Sequence, residues 1–361
     1  MIFNSVNTNS AGTSNVTKII LNESDVSDLG PMYVEDNVFF KDFSNCNHVH
    51  SVHFGNGILR IVNRLKFDLI TFPNLVKKKK VDSVVIMANY CPLRLSSRKL
   101  VIMRHPYLVD FDSWKEIKTF KHRLQEIVRL FLFKITLRST DVLIVQTQAM
   151  YDMFKKEYPS FKGSVKILPN PVSLDTKNLS NIIRESYTFE DYKYLFYPSR
   201  YYSHKNHEFL IDFAKAEADF FKENKYKFLI TLSPEGEGKH IIERIKREGL
   251  DEFFHNLGEV DQNCLHKYYA NAFCLFYPSN AETFGNCIIE SQYAGLPILI
   301  KDKPYAKTLC MDSAFYFNDI DSAMDGLKSI ESDWSECSKQ SRSLSHDYYT
   351  ASQWLEKISS F

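Results

Sequence analysis

The chain has 361 residues, 44% hydrophobic and 25% charged, with 45 basic against 44 acidic side chains. That is the make-up of a soluble globular protein long enough for two domains with separate cores, and a net charge so near zero gives no ground for nucleic-acid binding as its main business. No apolar run approaches a membrane span; the closest, Val128 to Leu137, is broken by Arg129 and Lys134.

The start, Met1 to Asn15, is polar and rich in Asn, Ser and Thr, without the basic opening and apolar core of a secretory signal. In the first eighty residues Val16 to Leu21 and Leu69 to Phe72 are the candidate strands, and Phe54-Gly55-Asn56-Gly57 is the nearest thing to a glycine-rich loop. Lys77 to Lys80 form a four-lysine run, followed by Arg94, Arg98, Lys99 and Arg104. From Val81 onward short β-rich runs alternate with helix-length segments. The expected strands are 83–88, 100–104, 141–146, 165–168, 193–197, 227–232, 273–277, 297–300 and 314–317. The expected helices are 115–137, 149–156, 206–221, 239–248, 262–271, 286–294 and 320–329, with a last one at 351–359 carrying Trp354 and Leu355. This alternation predicts an α/β protein with parallel sheets covered on both faces. The domain boundary is expected between Pro169 and Asp191, where Asn170-Pro171 ends one series and the polar stretch Asp175 to Glu190 precedes the next.

The helix expected from Lys115 spaces Phe120, Leu124, Ile127, Val128, Phe131 and Ile135 on one face. It also carries Lys115, Lys118, Lys121, Arg123, Arg129, Lys134 and Arg138. Such a stripe ordinarily faces the sheet with the basic side in water. The alternative is contact with an anionic membrane surface. The seven cysteines are scattered without any C-x2-C pair, several inside apolar runs such as that around Cys274. They read as free thiols of a reducing compartment, with neither a disulfide framework nor a zinc site, and the expected location is cytoplasmic.

Two stretches carry the chemistry. In the first, an apolar strand leads through Pro278-Ser279-Asn280 into Glu282, Phe284, Gly285 and Asn286, where a helix begins that holds Glu290 and stops at Gly295-Leu296-Pro297. A helix N-terminus offers unpaired N–H groups and partial positive charge, and a glycine there lets the backbone approach a phosphate. A loop carboxylate, Glu282, can face a neutral polyol, while Glu290 can accept from a pair of vicinal hydroxyls. In the second, Tyr197-Pro198-Ser199 ends a strand, Arg200 and Lys205 follow in the loop, and a helix starts near Asn206. Two cations at that place suit a diphosphate, Arg as a bidentate donor and Lys as a mobile point charge. The bland alternatives are solvated acids on a surface helix and two solvated loop cations. His105, after the strand ending near Arg104, would point into the crevice of an open α/β sheet, or else be a hydrogen-bonded structural His ahead of Pro106. Asn89, in Asn89-Tyr90-Cys91-Pro92, could line the same crevice, as could Asn170, with Asn170-Pro171 also a candidate hinge.

Glu282 and Glu290, eight positions apart, preceded by Pro278-Ser279 and followed by Ala294-Gly295-Leu296-Pro297, resemble the donor-site signature of retaining glycosyltransferases of family 4. Arg200 and Lys205 match the pair that clamps the donor diphosphate in that family. The resemblance covers about residues 80 to 360. It implies a GT-B fold: two Rossmann-like domains facing across a cleft, 1–172 binding the acceptor, 173–345 binding the donor, and 346–361 a C-terminal helix packing back on the first. It implies transfer of a sugar from a UDP- or GDP-hexose, with retention and without metal or cofactor, to a glycan or lipid-linked glycan. Arg200, Lys205, Phe284, Gly285 and Asn286 would then lie at the diphosphate, Glu290 at the ribose, and Glu282 and His105 at the transferred sugar. Same-face attack and a covalent glycosyl-enzyme through Glu282 both stay open. The Asn256-Leu257-Gly258-Glu259-Val260 turn would lie beside the base. The composition, rich in Lys, Asn, Phe and Tyr, resembles enzymes of bacterial surface-polysaccharide assembly, which implies O-antigen, capsule or lipopolysaccharide work at the cytoplasmic face of the inner membrane. The rival is a silent GT-B subunit that binds nucleotide or scaffolds a partner. Sugar-nucleotide epimerisation would need an acid/base set that the sequence does not offer.

Overall fold

A computed structural model of the chain describes residues 1–8, 11–24, 30–37, 39–43, 46–117, 119–181, 188–189, 192–345 and 348–361. Lys118 and, in the polar stretch before Lys193, residues 182–187, 190 and 191 lie outside the described residues. The chain divides into two compact units, one of Met1–Phe111, Phe120–Ser173 and Tyr348–Phe361, the other of Asp112–Thr119 and Leu174–Asp347.

The first unit holds strands β1 (Ile2–Ser5), β2 (Met32–Glu35), β3 (Val49–Val52), β4 (Ser83–Ile86), β5 (Arg98–Ile102), β6 (Val142–Val145) and β7 (Ser164–Ile167). They form a parallel sheet in the order β3-β2-β1-β4-β5-β6-β7, with Ile86 opposite Val101. Because side chains alternate across a strand, each β4 neighbour pair feeds both faces. Val84 and Ile86 join one core with Val101 and Leu143, while Val85 joins the other with Phe3, Leu100 and Ile144. Helices α1 (Ala11–Glu23), α2 (Gly57–Lys66), α3 (Phe72–Lys79), α4 (Phe120–Leu137) and α5 (Gln148–Glu157) connect the strands. The last helix of the chain packs on the face lined by Phe3 through Trp354, Leu355 and Ile358, and Trp354 Nε1 donates to the Pro169 carbonyl at 3.1 Å.

The early chain differs from expectation. Val16 to Leu21 lies inside α1, and Leu69 to Phe72 spans a wide π-turn (Phe67–Thr71) running into α3. The first strand is instead Ile2–Ser5, buried along its whole length between β2 and β4. Polar Asn4 and Ser5 hide it in the sequence. Asn4 Oδ1 caps the Val6 amide, and Ser5 Oγ bonds Thr17, so the buried polar groups are satisfied locally.

The apolar stripe of α4 does not face the sheet. Phe120, Leu124, Ile127, Val128 and Phe131 are exposed, and only Glu126, Phe133 and Leu137 are buried. Helix α2 is inverted in the same sense. Its polar side faces the protein: Arg60 bonds Glu35 through both nitrogens at 2.8 and 3.0 Å, Asn63 donates to the Phe54 carbonyl, and Arg64 bonds Asp68 and the Val6 carbonyl. Ile58, Leu59, Ile61, Val62 and Leu65 point to solvent, each more than half exposed. Phe133 and Leu137 of α4 share their core cluster with Phe67, Phe72 and Val76, which follow α2, so both stripes lie on one side of the sheet.

The second unit contains β8 (Thr188–Phe189), β9 (Tyr192–Tyr197), β10 (Tyr226–Ile230), β11 (Phe254–Asn256), β12 (Cys274–Tyr277), β13 (Ile298–Lys301) and β14 (Phe315–Phe317). The path β11-β10-β9-β12-β13-β14 is parallel, and β8 pairs antiparallel to β9. Its helices are α6 (Leu174–Asn178), α7 (His207–Ala216), α8 (Ala218–Glu223), α9 (Lys239–Arg247), α10 (Gln262–Asn271), α11 (Asn286–Ala294), α12 (Pro304–Cys310), α13 (Ile320–Ser332) and α14 (Trp334–Ser343); α15 (Ala351–Ser359) belongs to the first unit. Aromatic rings fill the core: Phe276 packs tilted against Phe213 and edge-on to Phe228, with centroids 5.2 Å apart in each pair. The strand order reverses between β9 and β12. In open α/β sheets, ligands bind outside the carboxyl ends of the strands at such a reversal.

Candidate active site

Both sequence motifs of the second unit converge there. The loops after β9 and β12 are stitched together: the Asn280 amide donates to the His204 carbonyl at 2.7 Å, and the Tyr197 hydroxyl donates to the Lys205 carbonyl at 2.7 Å. That anchoring carries Lys205 onto Glu282. The ammonium lies 2.5 Å from Glu282 Oε1 and 3.2 Å from the Tyr277 hydroxyl, which itself donates to Glu282 at 2.7 Å. Burial pushes the Glu282 carboxyl up, but Lys205, His204 and the hydrogen bonds outweigh it and hold the group below the ordinary carboxylate range. The site thus presents an ionised carboxylate and an ammonium side by side in a largely dry pocket of loops.

Gly285 stands at the N-cap of α11 with φ +73°, and no side chain caps the helix. A Cβ there would come within 2.8 Å of Ile288 Cδ1, a terminal methyl that would have to turn aside, while the left-handed backbone angle itself favours glycine. Phe284 is buried beneath, Asn286 opens the helix, and Cys287 ties it to the β9 loop by donating to the Pro198 carbonyl at 3.3 Å. Glu290, one turn in, is buried and accepts from the Tyr269 hydroxyl at 2.5 Å. That tyrosine fixes its orientation. Arg200 is more exposed, 3.5 Å from Glu259, so the Asn256–Val260 turn meets the β9 loop through this pair. The Asn256 side chain braces the turn by accepting from the Leu232 and Gly258 amides. Behind the loop His207 is fully buried against the Ser199 carbonyl at 3.1 Å, and burial lowers its pKa to about 3.

The first unit has its own cluster at the carboxyl ends of β4 and β5. His105 Nε2 lies 2.6 Å from Glu126 Oε2, and Glu126 Oε1 accepts from Arg129 at 2.5 Å. Burial raises the Glu126 carboxyl, but His105 and Arg129 together outweigh it and leave the group below its ordinary range. Asn89 adopts φ +30° and accepts the Arg104 amide at 2.7 Å; Asn170 accepts from the Arg104 guanidinium at 3.1 Å. Both asparagines therefore serve Arg104, a buried guanidinium whose pKa burial lowers to about 10.

Sequence reasoning missed Glu126, Tyr277, Tyr269 and Arg104. For Glu126 a signal existed: it is the one acid in Phe120–Leu137. The two tyrosines sit in or beside aromatic-rich runs that read as plain core.

Residues 180–345 match the family described as glycosyl transferases group 1. The chain is 23% identical over 305 residues to the O-antigen chain mannosyltransferase RfbU of Salmonella typhimurium, covering 79% of this chain and 80% of that one. Its fold is similar to that of WaaG, a glycosyltransferase involved in lipopolysaccharide biosynthesis (TM-score 0.73, 16% identity, 99% of this chain and 98% of that one). It is similar as well to sucrose-phosphate synthase of Thermosynechococcus elongatus (TM-score 0.71, 15% identity, 99% and 97%) and to HepE of Anabaena, solved with UDP and glucose (TM-score 0.69, 14% identity, 99% and 98%).

Proposed function

We propose that this chain, whose residues 180–345 match the glycosyl transferases group 1 family and whose fold is similar to that of WaaG, moves a hexose from a nucleoside diphosphate donor to a glycan or lipid-linked glycan in O-antigen or lipopolysaccharide assembly. The single observation that carries the reading is the Lys205–Glu282–Tyr277 cluster at the strand-order reversal, beside the uncapped start of α11. Breaking the anomeric C–O bond leaves a cationic sugar and a diphosphate gaining negative charge. Arg200, Lys205 and the α11 amides supply positive charge for the leaving group without a metal. Glu282, kept ionised, accepts hydrogen bonds from sugar hydroxyls. Its pairing with Lys205 makes it a weak nucleophile, which favours same-face attack with retention over a covalent intermediate. Glu290, oriented by Tyr269, is assigned to the ribose hydroxyls and His105 to the transferred sugar. HepE, solved with UDP and glucose, and RfbU, named a mannosyltransferase, support a hexose as the sugar transferred.

Peripheral contact with the inner membrane is part of the same reading. The exposed stripes of α2 and α4 share one side of the first unit with Lys77 to Lys80, and apolar residues flanked by cations suit an anionic lipid surface.

Titration calorimetry with UDP and GDP tests the donor site. One nucleotide should bind the wild type and lose tenfold or more in affinity with Arg200→Ala and with Lys205→Ala. Equal binding by all three proteins would remove both cations from the diphosphate.

A further inference from the structure

Helix α4 turns a single acid inward. Glu126, Phe133 and Leu137 make its buried side, and Glu126 occupies a place where an aliphatic residue would cost nothing in desolvation. Each oxygen of this carboxylate has its own cationic or imidazole partner: Oε1 takes Arg129 at 2.5 Å and Oε2 takes His105 Nε2 at 2.6 Å. The Tyr107 ring packs against the His105 ring in a T-shaped pair, with centroids 5.7 Å apart and planes at 85°. A carboxylate accepts and does not donate, so the Nε2 it holds must carry the proton. The other nitrogen, Nδ1, then bears a lone pair and makes no hydrogen bond among the described residues. Arg129 already balances the charge of Glu126. The acid therefore fixes which nitrogen carries the proton.

We propose that Glu126 is a positioning residue that locks His105 in the Nε2–H tautomer, so that Nδ1 accepts a hydrogen bond from a sugar hydroxyl. This rests on the assignment of His105 to the transferred sugar, and it names the atom and the residue that sets it. The role resembles the general use of a buried carboxylate to fix a histidine's tautomer and orientation.

Glu126→Gln separates this from a structural role. An amide has a single oxygen, and the charged Arg129 takes it. The NH2 is then left facing Nε2, which must accept, and the proton moves to Nδ1. Long-range proton–nitrogen NMR of histidine-labelled full-length protein reads this directly, with the His105 signals identified by their loss in His105→Asn. The wild type should show the proton on Nε2 and Glu126→Gln should show it on Nδ1. With UDP-glucose and GDP-mannose as probes, hydrolysis by Glu126→Gln should fall about a hundredfold in kcat with donor KM unchanged, since a wrong tautomer costs that much or more. Glu126→Leu, which packs but leaves the ring unfixed, should give mixed tautomers and a smaller loss.

A wild-type proton on Nδ1, or no tautomer change in Glu126→Gln, overturns the proposal. So does hydrolysis by Glu126→Gln within threefold of wild type. If His105→Asn turns over at the wild-type rate while the tautomer exchange is seen, the assignment of His105 to the sugar fails, and Glu126's hold on the ring is all that survives.

Discussion

Removing the Lys205 ammonium strands a buried carboxylate, and the cost can be worked from the site. The Lys205 and Glu282 side chains are 15% and 10% exposed, so neither is solvated well enough to screen the other. In Lys205→Ala, Glu282 keeps the Tyr277 hydroxyl bond but loses its largest charge partner. Breaking one side of such a pair costs about 3–5 kcal/mol. In the wild type the folded-state pKa of Glu282 is lowered, so its contribution is present above the ordinary carboxylate pKa and is lost only as pH falls through the lower folded value. In the variant burial acts with less opposition and raises that pKa. The penalty is then largest at pH 8 and shrinks toward pH 5 as Glu282 takes up a proton. Urea unfolding of the second unit, followed by its aromatic signals, measures this at both pH values, and Glu282→Gln in the same background should restore most of the loss. A Lys205→Ala cost below about 1 kcal/mol at pH 8, or one that Glu282→Gln does not relieve, would show the pair to be a surface-like contact and refute the reasoning.

Gly285→Ala should lose about 1–2 kcal/mol from its left-handed backbone alone, with the Ile288 contact adding to it; thermal unfolding and UDP titration check stability and affinity together. His207 is held neutral with a folded pKa of about 3, below its unfolded value. Its stabilisation is therefore full above the ordinary histidine pKa and falls by up to about 1.4 kcal/mol per pH unit as pH drops toward that folded value; the slope should flatten in His207→Gln. Ile58→Ser with Leu59→Ser should cut co-sedimentation with phosphatidylglycerol vesicles severalfold while leaving the melting temperature near wild type, because both side chains are already in water. Unchanged sedimentation would take α2 out of any membrane contact.

From Ser83 onward all strands but β8 and β11 were legible, since parallel strands buried on both faces read as unbroken apolar runs, as in Ser83–Ile86 and Cys274–Tyr277. The convergence of two motifs was legible for a different reason: Arg200, Lys205, Glu282 and Gly285 lie in loops whose position at strand ends follows from the strand pattern. What escaped was set by tertiary context. Ile2–Ser5 is a central strand whose polar half bonds α1, and nothing local announces that. Short β11 lies in a run that reads as turn. Periodicity found the α4 stripe but could not say which way it faces; the helix turns its single acid, Glu126, inward. For α2 the inward side is polar because Glu35, Asp68 and backbone carbonyls from distant strands meet it.

The central claim is sugar transfer from a nucleoside diphosphate donor, and its most direct test is proton NMR of the purified protein with UDP- and GDP-hexoses in the absence of acceptor. Slow release of one sugar, appearing first in the anomeric configuration of the donor and abolished by Lys205→Ala and Glu290→Ala, is the expected result. Release with inverted configuration would contradict same-face attack. No cleavage of any donor and no nucleotide line broadening would contradict the enzyme reading itself and leave a silent GT-B subunit in its place.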